Sequence, residues 1–462
     1  MLTLFHVTVM IKKILIVSFS VILLLGCQSQ QDPKQEIFAR IDDDVLTVEE
    51  FIYTYTPQIR FMKNPFDKEM LNYHGGRMIR NVLFAQHQEE LGTYDPLILT
   101  DEITEAERKA VIDEMIRLMI DDSLETLSEE EMREAYRKSL EYREVRHLFS
   151  PDSAKIQSWY RQIQSGQESF LSLSKEAFQD TFLANHGGYL GFVTFGDMVP
   201  EFEEMVFHTE PGKVSKPFKT PFGWHILSVE SVQTDMLPSE DDFQMNRGRI
   251  KNKIRRVKKE KFLSNFYTSL VEKRKIRPDL GGVQALSHLI MSSRITGKSL
   301  ANNIQAYPSE ALFEEVLNKS QDIWDKPVVY VDDDFLSLID ILPLLKRVPL
   351  ALLYRNPSQA VLFAVRDELV YQMGLERGLN EHETVQMKKG VRKKDWLSRQ
   401  FVAALTDTMS IHYPPNLNED EKNRYAREVQ NALIHQTYLD LRQKARIWTD
   451  MDKIYAYYDN IK

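Results

Sequence analysis

The chain has 462 residues, which at about 150 residues per domain predicts about three domains. Its composition, 43% hydrophobic and 27% charged residues, is typical of globular proteins and excludes both wholesale disorder and a polytopic membrane protein. With 59 basic and 68 acidic residues the net charge is −9, so no overall positive field exists to hold a nucleic acid, and no nucleic-acid partner is expected.

The N-terminal residues, 1–26, predict a secretion signal. Lys12 and Lys13 precede an uncharged, mostly aliphatic run from Ile14 to Leu25, which is the charged and apolar pattern of a signal peptide. At about 1.5 Å per residue this run reaches only ~18 Å, short of the ~30 Å hydrocarbon core of a bilayer, so a spanning helix is not expected. The initiator is either Met1 or Met10. Met10 is favoured because the nine residues before it add nothing to the signal pattern.

The single cysteine of the chain stands where the signal ends, which excludes an internal disulfide. The sequence Leu24-Leu25-Gly26-Cys27 and the polar tether after it, residues 27–36, resemble the lipobox of bacterial lipoproteins. This resemblance implies cleavage before Cys27 and attachment to the membrane through lipid on its thiol. The alternative is a plain secretory signal with a chance cysteine. Gln28 replaces the Asp that retains enteric lipoproteins at the inner membrane, so we expect an envelope location, at the outer membrane facing the periplasm in a Gram-negative organism.

Two short patterns occur twice along the chain in the same order. A triple-aspartate turn at 42–44, followed by a hydroxyl residue in a helix-cap position, returns at 332–334. A basic helix end that runs into an apolar residue is found before Ile276 and again before Ile447. Either pattern alone is common, but together they predict a duplicated module, with one copy from the first turn to Ile276 and another from the second turn to Ile447. The first copy is longer by about the size of a small domain, which indicates an insertion.

A change of hydrophobic period marks the inserted segment, residues 143–232. From Glu144 to Phe149 apolar and polar residues alternate, which predicts a half-buried strand. Apolar residues at helical spacing follow from Ile156 and end before Gly166, which predicts a helix. A glycine-rich turn, a short helix and two further strands come next, so the segment is predicted to be a small α+β domain.

The rest of the chain is predicted to be helical. The stretch from Arg247 to Lys275 alternates charged and apolar residues, which is typical of a long helix with a solvated charged face. The predicted organisation is a signal (1–26), a tether (27–36), a helical segment (37–142), the inserted domain (143–232), a helical segment completing the first module (233–285), a linker (286–326) and a second helical module (327–462).

Five short motifs occur in order within the inserted segment: Arg146-His147-Leu148, Gly187-Gly188-Tyr189-Leu190-Gly191-Phe192, Met198-Val199-Pro200-Glu201-Phe202, Gly212-Lys213-Val214-Ser215 and Phe222-Gly223-Trp224-His225-Ile226. In this order they resemble the parvulin-type peptidyl-prolyl cis–trans isomerases. The flanks are similar in pattern to the SurA and PrsA foldases, in which parvulin domains interrupt a helical chaperone body. The resemblance implies an α+β fold class, with a small antiparallel sheet flanked by helices inserted in a mainly α-helical body.

The same resemblance implies which residues form the site. Leu190, Met198 and Phe202 would make the apolar pocket that binds the substrate's proline ring. His147 and His225 would face each other at the centre of the sheet as catalytic residues, and Thr220 would join their polar network.

One position departs from the family pattern. Ten residues before Gly191, where the family usually has Cys or Asp, stands Thr181 with Asp180 beside it. A one-residue slip would bring Asp180 into the catalytic site, and otherwise Thr181 would serve there as a weaker hydrogen-bonding group. No basic loop that reads phosphoserine follows His147, so no phosphate dependence is expected.

The expected function is that of a lipid-anchored, extracytoplasmic isomerase and foldase whose partners are unfolded or nascent secreted polypeptides with Xaa-Pro bonds. The alternative is a chaperone that keeps the parvulin fold for binding without turnover, which Thr181 favours. No cofactor is expected, because rotating an amide bond cleaves nothing. A metal site is disfavoured because no acidic or cysteine partner has ligand spacing to the histidines in question, His147, His186, His208 and His225.

Overall fold

The computed structural model describes residues 35–460 except 60, 122–126, 179, 221, 235–238, 293–306, 309 and 320–323. The predicted signal, Cys27 and most of the tether therefore lie outside the described residues. The chain divides into two compact units, one formed by residues up to 115 together with those from 367 onward, and one formed by residues 116–366. Within the described residues, no helix combines the length and the apolar character needed to cross a membrane.

The strands of the described residues are β1 (Ile37–Ile41), β2 (Asp44–Thr47), β3 (Glu141–Ser150), β4 (Tyr189–Val193), β5 (Phe218–Thr220), β6 (Gly223–Thr234), β7 (Arg277–Pro278), β8 (Pro327–Val331), β9 (Asp334–Ser337) and β10 (Ile447–Thr449). The helices are α1 (Val48–Ile59), α2 (Lys68–Leu91), α3 (Pro96–Asp121), α4 (Glu129–Ser139), α5 (Ser153–Gln164), α6 (Phe170–Ala177), α7 (Thr181–Asn185), α8 (Pro200–His208), α9 (Glu240–Lys273), α10 (Leu280–Met291), α11 (Glu310–Lys319), α12 (Leu338–Leu345), α13 (Leu350–Arg355), α14 (Pro357–Glu376), α15 (Glu383–Asp407), α16 (Glu419–Lys444) and α17 (Asp452–Asp459). The predicted fold class, an α+β domain in a mainly helical body, is confirmed.

The first unit is built around a hairpin of β1 and β2, to which the C-terminal strand β10 adds on the β1 side. Ala39 pairs with Thr449 and Ile41 with Ile447. The hairpin leads directly into α1, whose start is fixed by a reciprocal cap in which the Glu50 amide donates to Thr47 Oγ1 at 3.1 Å and the Thr47 amide donates to the Glu50 carboxylate at 2.8 Å. Buried apolar residues of the hairpin and of the helices α1, α2 and α17 form the core beneath this sheet.

The second unit contains a sheet of the same design, in which β8 and β9 form the hairpin and β7 adds beside β8. Its details repeat those of the first sheet. Asp42 and Asp332 both have a positive φ, 51° and 56°, in the two aspartate turns. The amide of Asp450 donates to Phe38 O at 2.7 Å, and the amide of Asp279 donates to Val328 O at 2.8 Å. The repeated patterns in the sequence therefore correspond to a repeated structural motif.

The predicted copies run from the first aspartate turn to Ile276 and from the second to Ile447, but the closing strands do not pair within these spans. Instead, the first hairpin pairs with β10 and the second with β7. The choice of closing strand is a nonlocal pairing, which the local sequence of each hairpin does not specify. The predicted second module, 327–462, is consequently divided between the two units.

The predicted linker, 286–326, is also corrected. Its first residues belong to α10, and residues 310–319 form α11, in which Leu312, Phe313 and Val316 are buried. Burial of three apolar side chains at helical spacing makes this segment part of a core.

The inserted segment folds as a four-stranded antiparallel sheet in the order β4-β3-β6-β5, which we call the site sheet. β3 and β6 pair along their whole length, from Glu141 opposite Thr234 to Ser150 opposite Trp224. Because side chains alternate across a strand, Leu148 and Ile226 point to one face, where α5 and α6 pack. The other face is covered by α8 and carries the candidate site.

Candidate active site

The site sheet brings His147 and His225 together. His225 pairs with Phe149, two residues beyond His147 on β3, so both histidines lie on the face that α8 covers. Their rings stack with centroids 5.7 Å apart and planes inclined by 14°. Phe218 of β5 stacks on the other side of His225 at 5.6 Å, and Phe202 of α8 meets both imidazoles edge-on, at 5.6 Å and 5.5 Å.

Thr220 joins this group through a direct hydrogen bond. Its Oγ1 lies 2.9 Å from His225 Nε2 and accepts from the Phe222 amide at 3.1 Å. Because a hydroxyl can donate one hydrogen bond and accept two, Thr220 can donate to Nε2 or accept from it, and the direction depends on the tautomer of His225. Thr220 and His225 are both buried, so the bond is shielded from water.

Burial determines the charge state of both histidines. Desolvation, together with the nearby His225, lowers the pKa of His147 to about 3, and desolvation lowers the pKa of His225 to about 4. Both rings are therefore neutral at neutral pH. Within the described residues, the buried Nδ1 atoms of the two rings have no hydrogen-bond partner. The site thus offers neutral polar groups surrounded by aromatic rings.

The three predicted pocket residues lie in one apolar cluster on this face. Phe202 is buried, whereas Leu190 and Met198 are half-buried at its edge. Leu190 lies on β4. The close approach of the chain to β3 just before this strand depends on Gly188. This residue has φ 69° and accepts from the His147 amide at 2.9 Å, and a Cβ there would lie 1.8 Å from the His147 carbonyl oxygen.

Asp180 and Thr181 lie elsewhere in the local structure. Asp180 is the exposed N-cap of α7, and its carboxylate accepts from the Leu183 amide at 2.9 Å. Thr181 is exposed at the first position of that helix. Among the described residues, no hydrogen bond joins either side chain to His147 or His225. The ring that reaches His147 from this segment is Phe178, at a centroid distance of 5.1 Å.

Phe178 and Phe218 also belong to the site, although no sequence motif predicted them. Phe218 could have been predicted from the sequence. It precedes Thr220 by two residues, and residues two apart on a strand lie on the same face. Phe178 stands just after α6 in irregular backbone, where no periodicity applies.

The four histidines considered for a metal site do not form one cluster, because His186 and His208 lie apart from the stacked pair. His186 and His208 are exposed and contact carbonyl oxygens of their own segments, through Nδ1 to Phe182 O at 2.8 Å and to Glu204 O at 2.7 Å. The part of the chain that the structure describes holds no group of three or more His, Cys, Asp or Glu residues suited to a metal ion.

Comparison with known proteins identifies this segment. Residues 151–231 match the family Rotamase: PPIC-type PPIASE domain. The chain is 33% identical over 154 residues to the foldase protein PrsA of Caldanaerobacter subterraneus subsp. tengcongensis, covering 33% of this chain and 48% of that protein. It is 39% identical over 110 residues to the chaperone SurA of Nitrosococcus oceani, covering 24% of this chain and 25% of that protein. The chain therefore spans about half the length, or less, of these relatives.

Among solved structures, the chain is similar to NmPin, the parvulin of Nitrosopumilus maritimus. The two are 32% identical over 20% of this chain and 96% of that one, with a TM-score of 0.18. The predicted resemblance to parvulin-type isomerases of the SurA and PrsA group is confirmed by the family match and the sequence relatives.

Proposed function

We propose that this protein is an extracytoplasmic peptidyl-prolyl cis–trans isomerase that acts as a foldase on unfolded or nascent secreted polypeptides. The observation that carries the proposal is the position of the half-buried residues Leu190 and Met198 beside Phe202 and the neutral pair of His147 and His225. Such a site has one apolar wall for a proline ring and one polar centre for the adjoining peptide unit.

The chemistry requires positioning and no covalent step. Rotation about a Xaa-Pro bond crosses a barrier of ~18–20 kcal/mol because amide resonance is lost in the twisted state. A pocket that holds the proline ring and removes water from the carbonyl favours that state, since a less solvated carbonyl supports less charge separation. The neutral histidines, one fixed by Thr220, would orient hydrogen bonds toward the peptide and would not act as charged acids.

The direct test is magnetic resonance exchange spectroscopy of a Xaa-Pro peptide with the purified protein. We expect catalytic amounts of the wild type to speed cis–trans exchange, and the double variant Met198→Ala with Phe202→Ala to abolish the effect. The matched control, Met245→Ala with Leu280→Ala, truncates two side chains that are 78% and 73% exposed and should retain the rate. Wild-type protein that does not alter the exchange rate would refute the enzymatic proposal.

A second candidate is a chaperone that binds clients without turnover. It is favoured by the exposed positions of Asp180 and Thr181, and by the engagement of the Asp180 carboxylate with the Leu183 amide. Excision of 143–232 tests it, because Tyr142 and Gln233, the residues on either side of the excised segment, are paired neighbours that a short loop can join. If this shortened protein suppresses client aggregation as well as the intact chain does, chaperone activity belongs to the helical body. If suppression is lost, the inserted domain is the binding element.

We further propose that the protein is held in the cell envelope by lipid on Cys27. The supporting pattern is the short apolar run that ends at Gly26 before the lone cysteine. Metabolic labelling with a fatty-acid analogue should mark the wild type and leave Cys27→Ser unlabelled, with the variant released into the soluble fraction. Equal labelling of both proteins would refute the anchor.

A further inference from the structure

A loop of residues 194–199 joins β4 to α8 and carries Met198 to the pocket. Both backbone groups of one residue in this loop, Gly196, are held by charged side chains. Its amide donates to the carboxylate of Glu203, and its carbonyl accepts from the guanidinium of Arg256. Hydrogen bonds with a charged partner are about twice as strong as neutral ones, so this pair fixes the loop firmly.

Arg256 comes from the helical body and not from the inserted domain. It lies on α9, the long helix after the domain, together with Lys253 one turn earlier. Lys253 Nζ is 3.8 Å from Asp197 Oδ1 and lies 5.7 Å from the centroid of the Phe195 ring. Gly196 has φ 79°, and a Cβ at this residue would lie 2.3 Å from Lys253 Cε, so the helix contacts the loop closely. Lys253 is half-buried against the loop, and Arg256, although exposed overall, contacts the loop through its guanidinium.

Glu203 links this contact to the pocket itself. Its side chain is buried, it follows Phe202 directly on α8, and its carboxylate accepts from the amide of Gly196. Desolvation raises the pKa of Glu203, while the Gly196 amide and Lys253 oppose that shift by favouring the charged form. One buried carboxylate therefore connects the loop that carries Met198 to the helix that carries Phe202.

We propose that Glu203, Arg256 and Lys253 are positioning residues for proline binding, so that helix α9 of the body completes the isomerase site by holding Met198 against the pocket. This inference rests on the proposed function. It implies that binding of the proline ring depends on residues more than twenty positions beyond the inserted domain, which a family match to residues 151–231 does not include.

The test uses the whole protein and compares Arg256→Met with Arg255→Met, a neighbouring exposed arginine on the same helix. Each variant is assayed for kcat and KM by exchange spectroscopy, and for its Kd for the same Xaa-Pro peptide. We expect Arg256→Met to raise KM and Kd about fivefold with little change in kcat, because the pocket is displaced while the histidines are untouched. Arg256→Lys should recover part of the loss, and Lys253→Met should resemble Arg256→Met more weakly.

Amide hydrogen exchange of residues 194–199 provides an independent measurement. The account predicts faster exchange in Arg256→Met than in Arg255→Met. Equal KM, Kd and loop exchange in the two variants would overturn the inference. If the wild type shows no turnover, the proposed function fails, and the peptide Kd alone decides the inference: weaker binding by Arg256→Met supports it, and unchanged binding overturns it.

Discussion

The contact between Thr220 and His225 is the most specific polar interaction of the site. Thr220→Val keeps the shape of the side chain but leaves His225 Nε2 and the Phe222 amide without their shared partner. We expect the free energy of unfolding to fall by about 1–3 kcal/mol, because buried polar groups lose a hydrogen bond. Isomerisation should slow as well, since His225 is no longer oriented.

Chemical denaturation and exchange spectroscopy measure the two effects. Thr234→Val is the matched control, because Thr234 is exposed at the end of β6, the strand that carries His225. Thr220→Val that is as stable and as active as this control would show that the hydrogen bond has neither role.

Individual site residues could be predicted from the sequence where their motif forms part of a regular strand or helix. His147, His225 and Thr220 lie on paired strands, and Phe202 lies on a helix, so their sequence positions determine their directions. Asp180 and Thr181 follow the irregular backbone after α6, where counting residues back from Gly191 does not determine which side chain reaches His147. Their catalytic roles remain predictions from the family pattern.

In the first unit, ion pairs connect helix α15 to two neighbouring helices. Its lysines pair with acids of α2 and α3, Lys393 Nζ lying 2.5 Å from Glu89 and Lys389 Nζ 2.5 Å from Glu107. Beneath these pairs Trp396 and Leu397 are buried against Ala85 of α2. The basic run of α15 therefore lies along an acidic surface.

We expect Lys389→Gln with Lys393→Gln to lower the free energy of unfolding by about 1 kcal/mol at low salt, because partly exposed pairs contribute little each. At 1 M salt the difference should largely disappear, since the screening length falls to about 3 Å. Denaturation at the two salt concentrations measures this. Lys251→Gln, an exposed lysine of α9, is the control. A loss that does not change with salt would assign the effect to packing of the lysine chains.

The repeated hairpins illustrate what sequence can predict about elements. The aspartate turn and the helix cap after it are local features that the sequence predicted, whereas the strands between turn and cap, β2 and β9, were not predicted. The partner of each hairpin is a nonlocal choice between two equivalent closing strands. Both strands pair with equivalent positions of the two hairpins, so no local pattern shows which strand joins which hairpin.

Across the whole molecule, buried histidines predict a loss of stability in mild acid. Burial lowers the pKa of His74 to about 3, of His147 to about 3 and of His225 to about 4, against 6.5 for exposed imidazole. Below pH 6.5 the unfolded chain binds protons that the folded chain does not bind, so stability is complete above that pH and falls as pH decreases toward 4. Each histidine contributes up to about 1.4 kcal/mol per pH unit in this window.

Denaturation at pH 7, 6 and 5 tests this prediction. The wild type should become progressively less stable, and His74→Asn should show a shallower dependence because it removes one of the three groups. His412→Asn, at an exposed histidine, serves as the control. Equal slopes for wild type and His74→Asn would show that His74 is protonated in the folded protein.

The domain plan predicted for the chain differs from its compact units outside the inserted segment. The bounds predicted for that segment, 143–232, rest on a change from helical to alternating periodicity, and the site sheet runs from Glu141 to Thr234. One compact unit consists of residues 116–366 and the other of the two flanking parts of the chain, so neither coincides with a predicted module. β10 pairs with β1 across about four hundred residues, far beyond the range of local patterns.

The central claim, that this site isomerises prolyl bonds, is tested most directly by the cis–trans exchange rate of a panel of short Xaa-Pro peptides at catalytic concentrations of the wild-type protein. The account predicts that exchange, which takes tens of seconds or longer without a catalyst, becomes much faster for at least one peptide of the panel. Uncatalysed rates for every peptide, measured with protein that is folded and intact, would contradict it.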